Sequence, residues 1–207
     1  MLESTTCFDK GESLSYKELN RKENSFGSVL EEITVCKKEN SVLISDADGV
    51  WFKDFRDQLP VVSCLKKPGF REDIVDKLSY INEVFSEGNF FVATNRDPSV
   101  RFPWPSDKII NVLEESFQSV GIDSSFIFTT MNKQLPGVAR GEIDRLTEEI
   151  VRFFYSNYSK DDLLQIISIE DSIIVHPFRQ RFIQHIAKQV RKKIGKDIDI
   201  EILNFIV

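Results

Sequence analysis

The sequence predicts an α/β protein with a mostly parallel, five-stranded sheet that helices cover on both faces. From residue 42 onward, short apolar runs alternate with longer amphipathic stretches, which is the order of repeated β-α-β units. The runs are too continuously apolar for strands with one wet face, so buried parallel strands are expected. At 207 residues the chain is long enough for one domain with a real core.

The N-terminal part is predicted to differ from the rest. Residues 1–40 read as a helical segment, because "YKELNRKENSFGSVLEEITVCKK" has apolar residues near helical spacing among many charges. We expect this segment to pack as a surface helix on a main body that spans residues 41–207.

Nine further elements follow in order, and turn residues mark several of their ends. Gly88 and Gly121 stand where helices should stop, and Pro177 and Gly195 bracket the last helix. Residues 50–68 have no clear period and are expected to form a flap or hairpin. The predicted strands are 41–47, 90–95, 124–130, 163–171 and 197–205, and the predicted helices are 69–88, 106–121, 141–159 and 177–195.

Composition excludes several classes of protein. A net charge of -6 argues against nonspecific nucleic-acid binding. The 3 cysteines include no Cys-x-x-Cys pair, which favours a reducing, cytoplasmic compartment over a disulfide framework or a thiolate metal site. No apolar run reaches the roughly 18 residues of a membrane span, and the polar N-terminus has no signal-peptide core. A secretion signal of another kind stays open.

Polar residues collect at the predicted carboxyl ends of the strands, where open α/β sheets bind their ligands. The first strand runs directly into Asp46 and Asp48, and a buried carboxylate pair is costly unless something compensates its charge. A metal ion is the usual compensation. The residues at the other three strand ends are Thr94 and Asn95, Asn132 and Lys133, and Glu170 and Asp171.

This order of motifs resembles the haloacid dehalogenase (HAD) superfamily of phosphatases over roughly residues 41–205. The family's first motif is a strand ending in Asp-x-Asp and Gly, here "ISDADGV", and its second is a strand ending in Thr or Ser, here "FVATN". Its fourth is a strand ending in an acidic pair, here "ISIEDS". The resemblance implies a three-layer, Rossmann-like HAD core.

The resemblance also implies roles for the residues at the strand ends. Asp46 would be the nucleophile that forms an aspartyl-phosphate, and Asp48 would be the general acid and base. Thr94 and Lys133 would bind the phosphate, with Asn95 and Gly49 as further substrate contacts. A Mg²⁺ ion would be held by four residues of the first and fourth motifs: Asp46, Asp48 through its backbone carbonyl, Asp171 and Glu170.

Two positions depart from the pattern or leave it open. Val50 stands where the family more often has Thr, which removes a hydroxyl but no charge. The basic residue of the third motif is either Lys133, close behind the third strand, or Arg140, just before a helix. We favour Lys133.

The spacing between the motifs leaves little room for a cap domain, so an open site and a large substrate are expected. In this the chain resembles the capless HAD protein phosphatases, including aspartate-based tyrosine phosphatases among bacterial effectors. A phosphorylated protein is then the expected partner, with phosphotyrosine favoured, and the effector resemblance implies delivery into a host cytosol. Five aromatic residues are candidates either to wall a phosphotyrosine ring or simply to pack: Trp51, Phe52, Phe55, Phe102 and Trp104.

Alternatives remain at this point. The chain could be a phosphoacceptor domain of the response-regulator kind, although those carry the acidic pair and the phosphoacceptor on different strands. It could also be a HAD phosphatase of a small phosphometabolite, or a silent HAD scaffold.

His176 and His185 are expected to be structural or surface residues, with a zinc site as the weaker reading. The basic residues of 179–193 are expected to be a solvated helix face, with protein or membrane docking as the alternative.

Overall fold

A computed structural model of the chain describes most of the predicted elements but not every residue. The described residues are 14–19, 26–47, 49–52, 69–72, 74, 77–85, 88–94, 106–121, 127–129, 136–157, 163–171, 176–195 and 198–207.

The described residues form one six-stranded sheet in the order β1-β6-β5-β2-β3-β4, and every adjacent pair is parallel. Five helices accompany the strands in this part of the chain. The strands are β1 (Leu14–Leu19), β2 (Ser41–Ser45), β3 (Phe90–Thr94), β4 (Ile127–Thr129), β5 (Leu164–Glu170) and β6 (Ile200–Ile206). The helices are α1 (Phe26–Cys36), α2 (Leu78–Val84), α3 (Ser106–Gln118), α4 (Pro136–Asn157) and α5 (His176–Ile194).

The α/β class and the parallel sheet are therefore confirmed. Within the described residues, the stretches between β2 and β3 and between β3 and β4 contain one named helix each, and no large cap domain is present there. None of the helices in these ranges combines the length and the apolar character needed to cross a membrane.

Two details of the prediction are wrong. The sheet has six strands because Leu14–Leu19 pairs in parallel with β6, where only a helical segment was expected. Its sequence, LSYKEL, is short and mixed in polarity, so the pairing with β6 decides its structure more than its own pattern does. The helix predicted over 69–88 shrinks to Leu78–Val84, because Phe70 and Arg71 instead pair with the loop after β2.

The two faces of the sheet carry different cores. On one face, α1, α2 and α3 cover an aromatic cluster in which Trp51 makes edge contacts with Phe26, Phe90 and Phe117 at centroid distances of 5.1, 5.5 and 5.9 Å. On the other face, α4 and α5 cover a core built mainly from isoleucine, valine and leucine. The sheet is thus the middle of three layers, as burial of all residues in β2, β5 and β6 requires.

Candidate functional site

Asp46 is the first residue beyond β2, at what we call the carboxyl end of the sheet. Its N–H donates a hydrogen bond to the carbonyl of Ile169 in β5 at 3.0 Å, so it continues the ladder between the two strands. The residue is only 6 % exposed, and its Oδ1 accepts a hydrogen bond from the N–H of Ala47 at 2.7 Å. A charge-assisted bond of this kind stabilises an ionised carboxylate that has little contact with water.

The loop after Asp46 is a tight turn that its own backbone closes. The carbonyl of Ala47 accepts from the N–H groups of Trp51 and Phe52 at 3.0 and 3.2 Å, and the N–H of Gly49 donates back to Phe52 at 3.0 Å. Gly49 has a φ of 78°, a conformation that side chains with a Cβ adopt rarely. The chain therefore turns sharply at Gly49.

A buried side chain anchors this loop to β2. The indole N–H of Trp51 donates to the hydroxyl of Ser45 at 2.6 Å, and that hydroxyl donates to the carbonyl of Asp46 at 2.8 Å. Because Trp51 is also the centre of the aromatic core, the position of the Asp46 backbone depends on the packing of the whole face.

The acidic pair at the end of β5 meets this loop. A Cβ added to Gly49 would lie 2.6 Å from both Cβ and Cγ of Asp171, so the Asp171 side chain rests directly on the Gly49 backbone. The first and fourth motifs of the sequence are thus neighbours in space. Only a residue without a side chain leaves room for this approach.

Glu170 lies beside Asp171 but is placed differently. It is 1 % exposed, and its Oε1 accepts a hydrogen bond from the Ser168 hydroxyl at 3.3 Å. Its carbonyl accepts from the N–H of Val207 at 2.9 Å, which ties the end of β5 to β6. Glu170 is therefore buried within the sheet end, while Asp171 is half-buried at the loop.

The other predicted site residues are described in part or not at all. Thr94 is the last residue of β3, two positions beyond Val92, which pairs with Ser45, so its backbone lies at the carboxyl end of the sheet. Arg140 falls in the first turns of α4. Four predicted residues lie outside the described residues: Asp48, Asn95, Asn132 and Lys133.

Arg71 belongs to the site region and was missed by the sequence analysis. Its Nη1 donates to the carbonyl of Gly49 at 2.7 Å, and its backbone N–H donates to the carbonyl of Trp51 at 3.0 Å. The neighbouring Phe70 forms an antiparallel bridge with Phe52. No sequence signal marks Arg71, because a lone arginine ahead of a helix is common, and the contact joins segments that are not adjacent in sequence.

Trp51 and Phe52 belong to the core. Of the two roles expected for them, lining a phosphotyrosine ring or packing, the structure has the second. Both are completely buried, so neither can present a ring to a substrate in this conformation. The other three aromatic candidates, Phe55, Phe102 and Trp104, lie outside the described residues. His185 is exposed on α5, in line with the surface role expected for it. The backbone of His176 begins the same helix.

The donor set can be tested for its fit to a metal ion. Among the described residues, no group of three or more His, Cys, Asp or Glu side chains is arranged to hold one. The expected set has three carboxylates, those of Asp46, Asp171 and Glu170, plus the backbone carbonyl of residue 48, which is not described. All of these donors are oxygen atoms, and a hard cation such as Mg²⁺ prefers oxygen ligands and keeps water as its remaining ligands.

Comparisons of the chain with protein-family models, with curated proteins and with solved structures find no match. The fold and the site together define the chain as an α/β protein with acidic residues gathered at the carboxyl end of a parallel sheet.

Proposed function

We propose that the chain is a Mg²⁺-dependent phosphatase of the HAD type that works through an aspartyl-phosphate on Asp46. The observation that carries the proposal is the meeting of Asp46, Gly49 and Asp171 at the carboxyl end of the sheet. The substrate class proposed is a phosphorylated protein, with phosphotyrosine favoured.

The topology supports this location on physical grounds alone. From β2 the chain proceeds to β3 and β4 on one side, while β5, β6 and β1 lie on the other. The crevice between strands whose connections lead in opposite directions is where open α/β sheets bind ligands. Asp46 and Asp171 stand on the two sides of that crevice, directly after β2 and directly after β5.

The proposed reaction has two steps. In the first, a carboxylate oxygen of Asp46 bonds to phosphorus, the bond from phosphorus to the leaving oxygen breaks, and Asp48 gives that oxygen a proton. In the second, Asp48 takes a proton from water as the water oxygen bonds to phosphorus and the bond from phosphorus to the Asp46 oxygen breaks, which releases inorganic phosphate and restores the Asp46 carboxylate. Thr94, Lys133 and Asn95 would hold the phosphate oxygens, and the metal ion would supply charge neutralisation for them.

The described loop supports a nucleophilic role for Asp46 because its hydrogen bonds fix the position of this carboxylate. Its Oδ1 bonds to the adjacent N–H, and the Ser45–Trp51 contacts hold its backbone. Positioning of a reacting group is a large part of phosphoryl-transfer catalysis. A turn of this rigidity is what an attacking carboxylate needs.

The substrate proposal has a separate basis. No large cap is present among the described residues, and a site without a large cap would admit a residue on a protein surface. The preference for phosphotyrosine relies on the resemblance and on the aromatic residues outside the described part, since Trp51 and Phe52 are buried.

The test is hydrolysis of p-nitrophenyl phosphate and of matched phosphotyrosine, phosphoserine and phosphothreonine peptides in Mg²⁺. We expect Asp46→Asn to reduce turnover by about 10⁴-fold or more, since an amide does not replace the carboxylate nucleophile. Asp199→Asn is the matched control, because Asp199 is an exposed carboxylate before β6, at the opposite end of the sheet. Unchanged turnover in Asp46→Asn, or in excess chelator, contradicts the proposal.

A response-regulator-like function gives a different result in the same experiment. A phosphoacceptor would take up one phosphoryl group per chain and then stop, whereas the proposed enzyme cycles. Release of many phosphates per chain therefore separates the two.

A further inference from the structure

The outer side of α5 carries a row of exposed basic side chains. Four exposed residues share one narrow face of the helix, because they are spaced by four, three and four positions: Arg181, His185, Lys188 and Lys192. The apolar residues of α5 lie on the opposite side, in the core that covers the sheet. With a rise of about 1.5 Å per residue, these four residues form what we call the basic row, about 16 Å long.

The charge of this helix has one sign only. The sequence of α5 contains six Lys or Arg residues and no Asp or Glu, although the whole chain has a net charge of -6. A helix face that only needs to be wet usually mixes both signs along its length. The basic row is therefore a local positive surface on a protein that is acidic as a whole.

The neighbouring helix shows the contrasting arrangement. On α4, Arg152 pairs with Glu149 at 2.9 Å, and a second ion pair of 3.2 Å joins α4 to α5. Arg181 and Lys192, at the two ends of the basic row, form no ion pair within the described residues. The positive charge at both ends of the row is thus open to a negatively charged partner outside the chain.

The shape of this surface favours a lipid bilayer over a folded partner. The basic row is a ridge, because it lies on the side of α5 away from the core, and a flat surface can contact a ridge along its length without a matching groove. Tyr155, near the end of α4, is 61 % exposed, and its hydroxyl donates to the carbonyl of Lys193 at 2.9 Å. An amphipathic ring thus stands beside the end of the row, and tyrosine rings are enriched at the level of lipid head groups.

We propose that the basic row of α5 binds the surface of a membrane that contains anionic phospholipids, through charge attraction and without insertion of the helix. The apolar side of α5 is packed in the core and is not available for insertion. Each Lys or Arg close to an anionic surface strengthens binding about fivefold. Salt screens charges beyond about 10 Å at 0.1 M, so acidic surfaces elsewhere on the protein do not cancel this attraction. The proposal does not depend on the phosphatase activity.

The test is co-sedimentation of the full chain with vesicles at low salt, with lipid concentration varied to obtain the affinity. One kind of vesicle is phosphatidylcholine with about one third phosphatidylserine, and the other is phosphatidylcholine alone. The three Lys and Arg charges of the row predict about a hundredfold preference for the anionic vesicles. Binding should be lost in about 0.5 M salt, where the attraction is screened.

Variants of exposed residues locate the contact while leaving the core intact. Lys192→Gln should weaken vesicle binding about fivefold, and adding Arg181→Gln should weaken it about 25-fold in all. Lys192→Arg keeps the charge and should bind like the unchanged chain. Lys38→Gln is the matched control, because it removes the same charge just after α1, on the other face of the sheet, and should leave binding unchanged.

Circular dichroism checks that all variants fold, and soluble polyglutamate serves as the probe for an acidic protein. Three results would overturn the proposal: equal binding to the two kinds of vesicle, equal effects of Lys192→Gln and Lys38→Gln, or binding of polyglutamate without binding to anionic vesicles. The last result would indicate an acidic protein as the partner of the row.

Discussion

The two ends of strands β2 and β5 bury different kinds of polar side chain: a mixed row at the amino end and acidic residues at the carboxyl end. At the amino end, Ser41, Gln165 and Glu201 are register partners across β2, β5 and β6 and form one row on one face. At the carboxyl end, Asp46, Glu170 and Asp171 bring three carboxylates to the same two strands. The two ends contrast a hydrogen-bonded row of polar side chains with a group of acidic residues at the proposed site.

The row at the amino end satisfies itself. Ser41 Oγ lies 2.6 Å from Gln165 Oε1, and Gln165 Nε2 donates to Glu201 Oε2 at 2.8 Å and to the carbonyl of Cys36 at 3.1 Å. The N–H of Lys38 donates to the same row. Mixed amide, hydroxyl and carboxylate groups can alternate as donors and acceptors, so a buried network of this kind is stable without a ligand.

The carboxyl end is built differently, because three acidic side chains gather there. Carboxylates accept hydrogen bonds but donate none, and like charges that lie close together repel. Backbone N–H groups and the Ser168 hydroxyl supply some donors. The difference teaches that burial alone does not mark a functional site. In the proposed phosphatase, the feature that marks the site is instead the burial of several groups of the same charge, which a cation would offset.

The largest effect on stability is expected for Gly49→Ala. The new Cβ would overlap Asp171 and would adopt a φ of 78°, so we expect the free energy of unfolding to fall by about 3 kcal/mol and turnover to fall with it. Gly121→Ala is the matched control, because Gly121 has a φ of 80° but no neighbour within 4 Å of the added Cβ.

Gly121→Ala should lower stability by about 1 kcal/mol and leave turnover unchanged. Chemical denaturation and initial rates measure both quantities. Equal losses in the two glycine variants would mean that the contact between Asp171 and Gly49 contributes nothing.

A smaller loss of stability is expected for Gln165→Leu at the amino end. It removes the partner of Ser41 and Glu201, and the unfolding free energy should fall by about 2 kcal/mol while turnover per folded molecule stays constant. Adding Glu201→Gln should recover part of the loss, because it removes a buried charge that has lost the Gln165 donor. A drop in turnover at full folding would show that the two ends do not divide stability and chemistry as argued.

The smallest effect on stability is expected for Arg71→Gln. Arg71 is half-buried and its side chain donates to one loop carbonyl, so the unfolding free energy should change by about 1 kcal/mol. Turnover should nevertheless fall about ten- to a hundredfold, because the loop that carries Asp46 loses its external support. Arg71→Lys, which keeps one donor and the charge, should recover part of that rate. Equal rates in Arg71→Gln and the unchanged chain would exclude a positioning role.

Much of the fold could be predicted because local patterns and burial agreed. The apolar runs at β2, β3, β5 and β6 are strands because both faces of each are covered, and α3 ends near Gly121 as expected. Leu14–Leu19 was misjudged because an edge strand takes its structure from its partner. The helix before Tyr80 was overextended because the pairing of Phe70 with Phe52 joins segments that are far apart in sequence.

Some features of the candidate site could also be predicted from local sequence, and others could not. The sequence predicted Asp46, Glu170 and Asp171 as site residues because strand ends and acidic residues can be recognised from a few neighbouring positions. It could not show that Asp171 rests on Gly49, that Arg71 supports that loop, or that Trp51 is buried instead of facing a substrate. Each of these depends on which distant segments meet.

The sequence by itself determined the alternation of strands and helices, the parallel arrangement, and the acidic residues at two strand ends, since hydrophobic periodicity and turn residues act over a few positions. The tertiary structure alone decided the register that joins Ser41, Gln165 and Glu201, and the close approach of Asp171 to Gly49. The physical reason is that these contacts depend on strand order and packing across the whole sheet, and no local pattern carries that information.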